Sequence, residues 1–408
     1  MNVRTRFFIS IVLISTMTGG CMVSSPFRKE NHTHIREMVD GNTTFALSLY
    51  NQLKTGEANL CFSPLSLSMA LSMTYEGARG NTAKEMAAVM HLPRDQETVR
   101  HASRTLLKHI HSLGKQGDIV VHMANRIWPR EGYAFLSDYW DTLKTYYLSD
   151  IETVDYAHPL EAATDINRWV GEKTANRIED LVRPGALTPT TRLVVTNAVY
   201  FQGNWQTAFD QARTITAPFT TPSGRIVPVP MMHLKGDFNY TENDRLRALA
   251  LPYAGNTLSM ILLLPKRAPD FRYLENALST ANLKTCFSKL AGQKVNVAIP
   301  RFTMDAGINV SHLLTNMGME DAFTKKADFS GMDGSKKLYL DSVLHKAHID
   351  VNEKGTEAAA ASAVIVAQKT SVERIPIFRA DHPFIFLIRE NTRGSILFLG
   401  RVMNPLGT

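Results

Sequence analysis

Cysteine is scarce in this chain of 408 residues, which contains three. Cys21 belongs to the amino-terminal leader considered below, so only Cys61 and Cys286 remain in the body of the protein. Two cysteines cannot build the framework of several disulfide bonds that holds small exported domains together. Because both lie in apolar stretches of sequence, we predict that they are buried free thiols.

The sequence also lacks the motifs that mark common enzyme and metal sites. It contains no Gly-x-Ser-x-Gly elbow, no His-Glu-x-x-His, no Cys-x-x-Cys pair and no Gly-x-Gly-x-x-Gly loop. These motifs place a nucleophile, bind zinc, carry redox or metal chemistry and cradle a dinucleotide, respectively. We therefore predict a protein that is not an enzyme and that uses no cofactor and no metal ion.

A hydrophobic run long enough to span a membrane is missing from the amino terminus. The apolar stretch 7–17 is too short for a spanning helix, which needs about 20 residues. It follows Arg4 and Arg6 and precedes small residues and Cys21, which is the order of a cleavable export signal. The arrangement is similar to that of bacterial lipoproteins, in which the cysteine is lipidated.

We therefore predict a signal peptide over residues 1–20, a lipid on Cys21 and a flexible tether over 21–40. These features imply an exported protein that its lipid holds at the outer membrane or cell surface of a bacterium. Ordinary secretion, with a cysteine at this place by chance, is the alternative.

Basic residues are in slight excess, with a formal net charge of +7 that falls to +5 when Arg4 and Arg6 leave with the leader. Arg100, Arg104 and Lys108 are four residues apart and share one face of a predicted helix. Such a face is either simply solvated or a site for sulfated or other polyanions with salt-sensitive affinity. The excess is too small to require a nucleic-acid partner, and no specific one is predicted.

Helical periodicity dominates the first half of the chain and strand-like alternation the second. A helix is predicted over 66–75 after the start signal Ser63-Pro64, and another over 162–182. A buried strand is predicted over 193–201, and further strands follow toward the carboxyl terminus. This distribution favours an α+β fold with antiparallel or mixed sheets. Because no linker divides residues 41–408, we predict one large domain.

The segment Val351–Val366 has few bulky side chains and ends in a run of small residues. Gly355 can adopt backbone angles closed to other residues, so it can act as a hinge. In a strand, alternate residues from Thr356 onward would form a face without charge. The sequence Glu-Ala-Ala-Ala-Ala also has a strong propensity for a surface helix. The residues of this segment alone leave both conformations open.

Several short motifs occur in a fixed order from residue 40 to the carboxyl terminus. They are Asn59–Ser66, Gly77–Thr82, Thr196–Trp205 with Phe209, Leu251–Tyr253, Ile299–Phe302, His345–Ala347, Phe378–Phe384, Phe398–Val402 and Asn404-Pro405. Each block alone is a weak signal, but the ordered set is specific. Together the motifs resemble the serpins, a family of serine-protease inhibitors.

The resemblance implies an α+β serpin fold of three β-sheets and eight to nine helices, with an exposed reactive loop at about residues 353–377. It also implies a metastable monomer that acts as an irreversible suicide-substrate inhibitor of serine proteases. The protease cleaves the loop, which then inserts as a new strand into the central sheet while the protease is still covalently attached. A non-inhibitory serpin acting as chaperone or carrier, and a polyanion-binding surface lipoprotein, are the alternatives.

The resemblance also assigns the parts of the loop. Its hinge matches Glu353, Gly355, Thr356, Glu357, Ala358, Ala359, Ala360 and Ala361. Inhibitory serpins keep this stretch short-chained, so the pattern favours an inhibitor.

The family position before the cleaved bond matches Lys369, which makes Lys369–Thr370 the predicted reactive bond. A lysine there suits trypsin-like or lysine-specific proteases, whose specificity pockets are acidic. Arg374 is the alternative register. The apolar stretch 364–366 leaves elastase-like enzymes open as targets, and cysteine proteases are a further possibility.

Two further sets of residues match positions at which the central sheet opens in serpins. The shutter cluster, beneath the strands that part, consists of Ser63, Ser66, Asn197 and His345. The breach cluster, where the loop first enters, consists of Trp205, Arg301 and Glu353. Glu353 and Arg301 are expected to form an ion pair that holds the top of the sheet closed.

Overall fold

The structure is a computed structural model that describes residues 26–93, 95–113, 118–356 and 375–407, with side chains described from residue 33 onward. Several predicted features lie outside these ranges. They are the signal peptide 1–20, Cys21, the hinge residues Glu357, Ala358, Ala359, Ala360 and Ala361, the reactive bond Lys369–Thr370, and Arg374.

Ten α-helices occur among the described residues. They are α1 Pro26–Leu53, α2 Pro64–Gly77, α3 Gly80–Met90, α4 Gln96–Leu113, α5 Ser137–Thr142, α6 Pro159–Lys173, α7 Phe271–Asn276, α8 Thr280–Ser288, α9 Ser311–Asn316 and α10 Ser330–Asp333. The first turn of α2 has the predicted start signal, because Ser63 Oγ accepts a hydrogen bond from the N–H of Ser66 at 3.4 Å and Pro64 needs no partner there. None of the described helices is both long and apolar enough to cross a membrane.

Fourteen strands occur in the described ranges, and twelve of them begin after residue 190, as the predicted shift from helices to strands requires. They are β1 Leu60–Phe62, β2 Ile119–Pro129, β3 Leu193–Asn204, β4 Ile215–Thr220, β5 Ile226–Glu242, β6 Leu246–Pro252, β7 Leu258–Pro265, β8 Ala291–Pro300, β9 Phe302–Asn309, β10 Ser342–Asn352, β11 Gly355–Thr356, β12 Ile377–Arg379, β13 Phe384–Glu390 and β14 Ile396–Val402. The α+β class is therefore confirmed.

The central sheet has five described strands in the order β2-β3-β11-β10-β9. Its two middle strands, β3 and β10, are parallel and pair directly from Val194 opposite Ser342 to Tyr200 opposite His348. Beyond Tyr200 and His348, at the end that we call the top, the two strands no longer pair directly. There the short strand β11 lies between them, antiparallel to both. We call the boundary between β3 and β10 the seam.

The second sheet contains the remaining nine strands, in the order β1-β14-β13-β7-β6-β5-β8-β12, with β4 paired to β5. The long strand β5 belongs to two groups of strands, because its first part pairs with β4 and its last part with β6. Hydrogen bonds through β5 and β8 thus join two of the three sheets that the family resemblance implies into one continuous surface.

Apolar residues form two cores, one on each face of the central sheet. The large core includes α2, whose residues from Pro64 to Gly77 are all buried, and reaches the nine-stranded sheet. The small core lies under α6, where Ile166 and Val170 pack with Trp128, Val194 and other residues of the opposite face. Both faces of β3 are therefore covered, which explains why every residue from Leu193 to Phe201 is buried.

The predicted tether over 21–40 is wrong for the part that the structure describes. Helix α1 begins at Pro26, and Ile35, Met38 and Val39 are buried in the large core. Because these residues are three and one positions apart, they share one helical face. The polar residues around them led to the prediction of a tether. Asp40 also forms an ion pair with Lys284 of α8 at 2.8 Å.

Helix α6 is shorter than the predicted 162–182, because it ends at Lys173 and Ala175 and Asn176 adopt positive φ angles of 52° and 57°. The irregular segment that follows still buries Ile178 and Val182 in the small core. The side chain of Asn167 holds it in place by bonding both the N–H and the C=O of Val182, at 2.8 and 2.9 Å.

Cys61 and Cys286 are free thiols, as predicted. Cys61 is fully buried, and burial raises the pKa of its thiol far above the ordinary value. Cys286 is only partly buried, which corrects the prediction for this residue; burial raises its pKa to about 11.

Candidate functional site

The start of the predicted reactive loop lies inside the central sheet. After β10 the chain turns at Glu353 and Lys354, and Gly355 and Thr356 run back as β11. Thr356 pairs with Gly203 of β3 on one side and with Val351 of β10 on the other. The first residues of the hinge therefore already occupy the place that a new strand would take.

Close backbone contact at this point requires glycine at position 355. Its φ angle is +154°, and a Cβ atom built on it would lie 2.0 Å from the carbonyl oxygen of Gly203 and 2.7 Å from the Cα of Asn204. Backbone atoms cannot move aside as a flexible side chain can. Any larger residue would push β11 out of the sheet.

The side chain of Thr356 points into the large core and is fully buried. Its hydroxyl shares a hydrogen bond with the hydroxyl of Tyr253 at 3.0 Å. The ring of Tyr253 is stacked on Trp205 at 4.6 Å between centroids and meets the edge of Phe201 at 5.0 Å. Burial raises the pKa of Tyr253, so its hydroxyl stays protonated and can serve as the partner of Thr356.

Trp205 of the breach cluster lies immediately after β3 and contacts the turn between β10 and β11. Its indole Nε1 donates to the carbonyl of Asn352 at 3.0 Å, and its backbone N–H donates to the carbonyl of Lys354 at 2.9 Å. Trp205 therefore links the end of β3 to the far side of the seam.

Glu353 and Arg301 form an ion pair at the same place. The Nη2 of Arg301 lies 2.7 Å from Glu353 Oε2, and its Nε donates to both carboxylate oxygens at 2.8 and 2.9 Å. The hydroxyl of Thr214 adds a hydrogen bond of 2.5 Å. Burial acts to raise the pKa of Glu353, but the bonds from Arg301 and Thr214 outweigh it and hold the pKa below its ordinary value.

The four residues of the shutter cluster form one buried network beneath the seam. His345 Nε2 accepts from the N–H of Ser63 at 3.1 Å, and its Nδ1 bonds Asn197 Oδ1. These partners place the proton on Nδ1. The amide of Asn197 then donates to Ser66 Oγ at 2.5 Å. Because β3 and β10 carry Asn197 and His345 directly opposite each other, the bond between the two side chains crosses the seam.

Burial sets the charge of this network. His345 is fully buried and has no carboxylate partner among the contacts of the shutter cluster, so burial lowers its pKa to about 3. The imidazole is therefore neutral at physiological pH, with one ring nitrogen donating and the other accepting.

The network has a fifth member that we did not predict. Asn125 of β2 pairs with Asn197 in register, and its Oδ1 accepts from the amide of Asn197 and, at 3.4 Å, from Ser66 Oγ. The sequence does carry a signal for it. Asn125 is the one polar member of an alternate series in β2, whose other members are Ile119, Val121, Met123 and Ile127.

The basic face of α4 is less free than the sequence suggested. Arg100 forms an ion pair with the buried Glu76 at 2.8 Å, and the guanidinium groups of Arg100 and Arg104 both lie 5.7 Å from the centre of the Tyr146 ring. Lys108 is exposed. The three cations therefore do not form a uniform solvent-facing patch, because Arg100 is committed to a structural contact.

Comparison with known sequences gives one consistent result. Residues 40–405 match the family model described as "Serpin (serine protease inhibitor)". The chain is 42% identical over 373 residues to an uncharacterized serpin-like protein of Thermococcus kodakarensis, covering 91% of this chain and 86% of that protein. It is 36% identical to the leukocyte elastase inhibitor of Equus caballus, covering 91% of this chain and all of the relative.

Solved structures agree with the sequences. The crystal structure of Serpin48, described as a highly specific serpin of the insect Tenebrio molitor, superimposes with a TM-score of 0.80 at 32% identity and covers 90% of this chain and 98% of that one. The ordered motifs, the seam with its inserted strand and these matches lead to one assignment. The chain belongs to the serpin family of serine protease inhibitors.

Proposed function

We propose that this serpin is an irreversible suicide-substrate inhibitor of serine proteases and not an enzyme. One observation supports the proposal above all others: Gly355 and Thr356 already lie as a strand between β3 and β10. The residues that follow in sequence are small, and they continue from the point at which the seam has begun to open. The relative described as a leukocyte elastase inhibitor supports the same function.

The chemical step begins with attack on the loop. The serine hydroxyl of the protease would add to the carbonyl carbon of Lys369 and lose its proton to the protease's own histidine. The bond between Lys369 and Thr370 then breaks, and the amine of Thr370 leaves with that proton. An ester between the protease serine and Lys369 remains, and water would normally hydrolyse it.

Insertion of the loop competes with that hydrolysis. After cleavage the segment from Thr356 to Lys369 is free at one end, and it can extend β11 downward along the seam. New backbone hydrogen bonds with β3 and β10 and burial of the uncharged alternate side chains would drive this step. Because the ester ties the protease to Lys369, insertion carries the protease along and would distort it before hydrolysis.

The seam must part for this to happen. The directly paired positions from Val194 opposite Ser342 to Tyr200 opposite His348 would have to separate, and the bond between His345 and Asn197 would break. A buried polar network is costly to leave half satisfied. The shutter cluster therefore keeps the sheet closed until the loop supplies new partners.

Target choice depends on Lys369. A lysine before the cleaved bond fits a protease with an acidic specificity pocket, so we propose trypsin-like or lysine-specific enzymes as targets. The apolar stretch 364–366 adds elastase-like enzymes to the proposed range, and cysteine proteases are proposed as further targets.

Incubation with trypsin, followed by a denaturing gel, tests the proposal. We expect a band that survives denaturation and has the summed mass of inhibitor and protease. The Lys369→Ala variant should lose this band with trypsin, whereas Thr370→Ala should keep it. Cleavage of the wild-type protein without any such band, across several proteases of different specificity, would instead indicate a non-inhibitory serpin.

We also propose that the protein is exported and anchored by a lipid on Cys21, on the strength of the leader sequence alone. Mass spectrometry of the purified protein from its host checks this. A mature amino terminus at Cys21 with an added lipid mass is expected, and an unmodified Cys21, or cleavage elsewhere, would contradict it.

A further inference from the structure

The hinge is hydrogen-bonded to a residue that lies on neither β3 nor β10. Thr356 is flanked by β3 and β10, but its hydroxyl bonds Tyr253, which follows β6 in the nine-stranded sheet. When β3 and β10 move apart, bonds between them break. Tyr253 forms a β-bridge with Trp205, directly after β3, so its bond to Thr356 can move with the β3 side of the seam and need not break.

The surroundings of Tyr253 are shaped to hold its hydroxyl in this place. Gly203, which pairs with Thr356, has no side chain; a Cβ there would lie 3.0 Å from Tyr253 Cδ1 and 2.9 Å from the ring of Phe201. Trp205 is stacked on the Tyr253 ring, with 4.6 Å between the ring centroids. The ring therefore has little freedom to rotate, and the hydroxyl is positioned before any loop cleavage.

Water does not compete for the hydrogen bond between Tyr253 and Thr356. Tyr253 and Thr356 are both fully buried. A buried hydroxyl that loses its partner leaves an unsatisfied group, which costs more than the same loss at the surface. Leaving the sheet would therefore cost Thr356 its bond to Tyr253 as well as its backbone pairing.

We propose that Tyr253 is a positioning residue that holds Thr356 in the sheet before cleavage and throughout insertion, and thereby favours insertion over hydrolysis of the acyl intermediate. The inference about the uncut protein stands on the geometry alone. The inference about partition rests on the proposed inhibitory function.

Removal of the single hydroxyl in Tyr253→Phe tests the first part in the uncut protein. We expect hydrogen–deuterium exchange of the amides of residues 353–356 to accelerate by roughly two- to tenfold, the change that the net free energy of one hydrogen bond produces in an equilibrium. Thr356→Val should give a similar acceleration. The double variant should add little to either single one, because both remove the same bond.

Tyr139→Phe provides a matched control. Tyr139 is also buried and donates one hydrogen bond, of 2.9 Å, to the carbonyl of Met73, away from the seam. This variant should be destabilised to a similar extent overall but show wild-type exchange at residues 353–356. Equal exchange in Tyr253→Phe and Tyr139→Phe would overturn the inference.

The second part is measured as the number of inhibitor molecules consumed for each trypsin molecule inactivated. This number should rise by roughly two- to tenfold in Tyr253→Phe and stay at the wild-type value in Tyr139→Phe. An unchanged or lower number in Tyr253→Phe would refute the role in partition. If the wild-type protein inactivates no protease, the proposed function fails, whereas the exchange comparison in the uncut protein still decides whether Tyr253 holds the hinge.

Discussion

The upper and lower parts of the seam are held by different kinds of contact. At the top, β11 already separates β3 from β10, and the backbone groups on both sides have partners. Lower down, the two strands pair directly, and the shutter cluster joins them through Asn197 and His345. Opening the sheet therefore costs most at its lower part, because there each polar group must leave a partner before the loop supplies another.

The side chains show the same difference. Thr356 and Glu353 at the top bond Tyr253, Arg301 and Thr214, none of which lies on β3 or β10. In the shutter cluster, the bond between Asn197 and His345 crosses the seam itself. The contacts of Thr356 and Glu353 can therefore persist while the sheet opens, whereas the bond from Trp205 to Asn352 at the top and the bond from Asn197 to His345 below must break. A charge introduced at position 356 should therefore affect inhibition, whereas a proton added to His345 should affect the stability of the folded protein.

The larger expected effect comes from a charge at the top, in Thr356→Arg. The position is fully buried, and an arginine there would have to leave the sheet or bury an unpaired charge, which costs several kcal/mol. We expect the yield of denaturant-resistant complex with trypsin to fall more than about tenfold, because each 1.4 kcal/mol changes an equilibrium tenfold. Cleavage of the loop should continue, so the variant behaves as a substrate.

Thr356→Ser is the matched control, since it keeps the hydroxyl that bonds Tyr253. Its complex yield should stay close to that of the wild-type protein. If Thr356→Arg gave as much complex as Thr356→Ser, entry of this side chain into the sheet would play no part in inhibition, and the functional contrast between the two parts of the seam would disappear.

The sequence predicted the top of the seam in part. The single glycine before a run of small residues indicates a hinge, and the structure gives the reason in the 2.0 Å approach of a Cβ on Gly355 to the oxygen of Gly203. The partner of Thr356 could not be predicted from local pattern. Tyr253 lies about a hundred residues away, and only the tertiary fold brings the two hydroxyl groups together.

The lower part shows a similar limit. The family motifs contain Ser63, Ser66, Asn197 and His345, whereas Asn125 belongs to no motif and was missed although it bonds Asn197. The part of helix α1 that lies in the predicted tether was missed because its buried residues are few and separated by polar ones. Local periodicity is a weak signal where a helix buries only a narrow face, and tertiary packing decides the outcome.

The smaller expected effect comes from protonation of His345. In the unfolded chain its pKa is near the ordinary value of 6.5, whereas burial lowers it to about 3 in the folded protein. Between these values the unfolded state binds one more proton than the folded state. Stability contributed by this group is therefore complete above about pH 6.5 and is lost as the pH falls toward about 3.

The unfolding free energy should accordingly lose up to about 1.4 kcal/mol per pH unit through His345 as the pH falls from 6 to 4.5. His345→Gln removes this titration and keeps a donor and an acceptor, so its stability should depend less steeply on pH. Carboxylates and the other histidines with lowered pKa, His122 and His233, contribute equally to both proteins. Urea unfolding at several pH values gives the two slopes. Equal slopes in the two proteins would mean that burial does not hold His345 neutral. Protonation of the shutter cluster would then not destabilise the protein, and this contrast with the top of the seam would be lost.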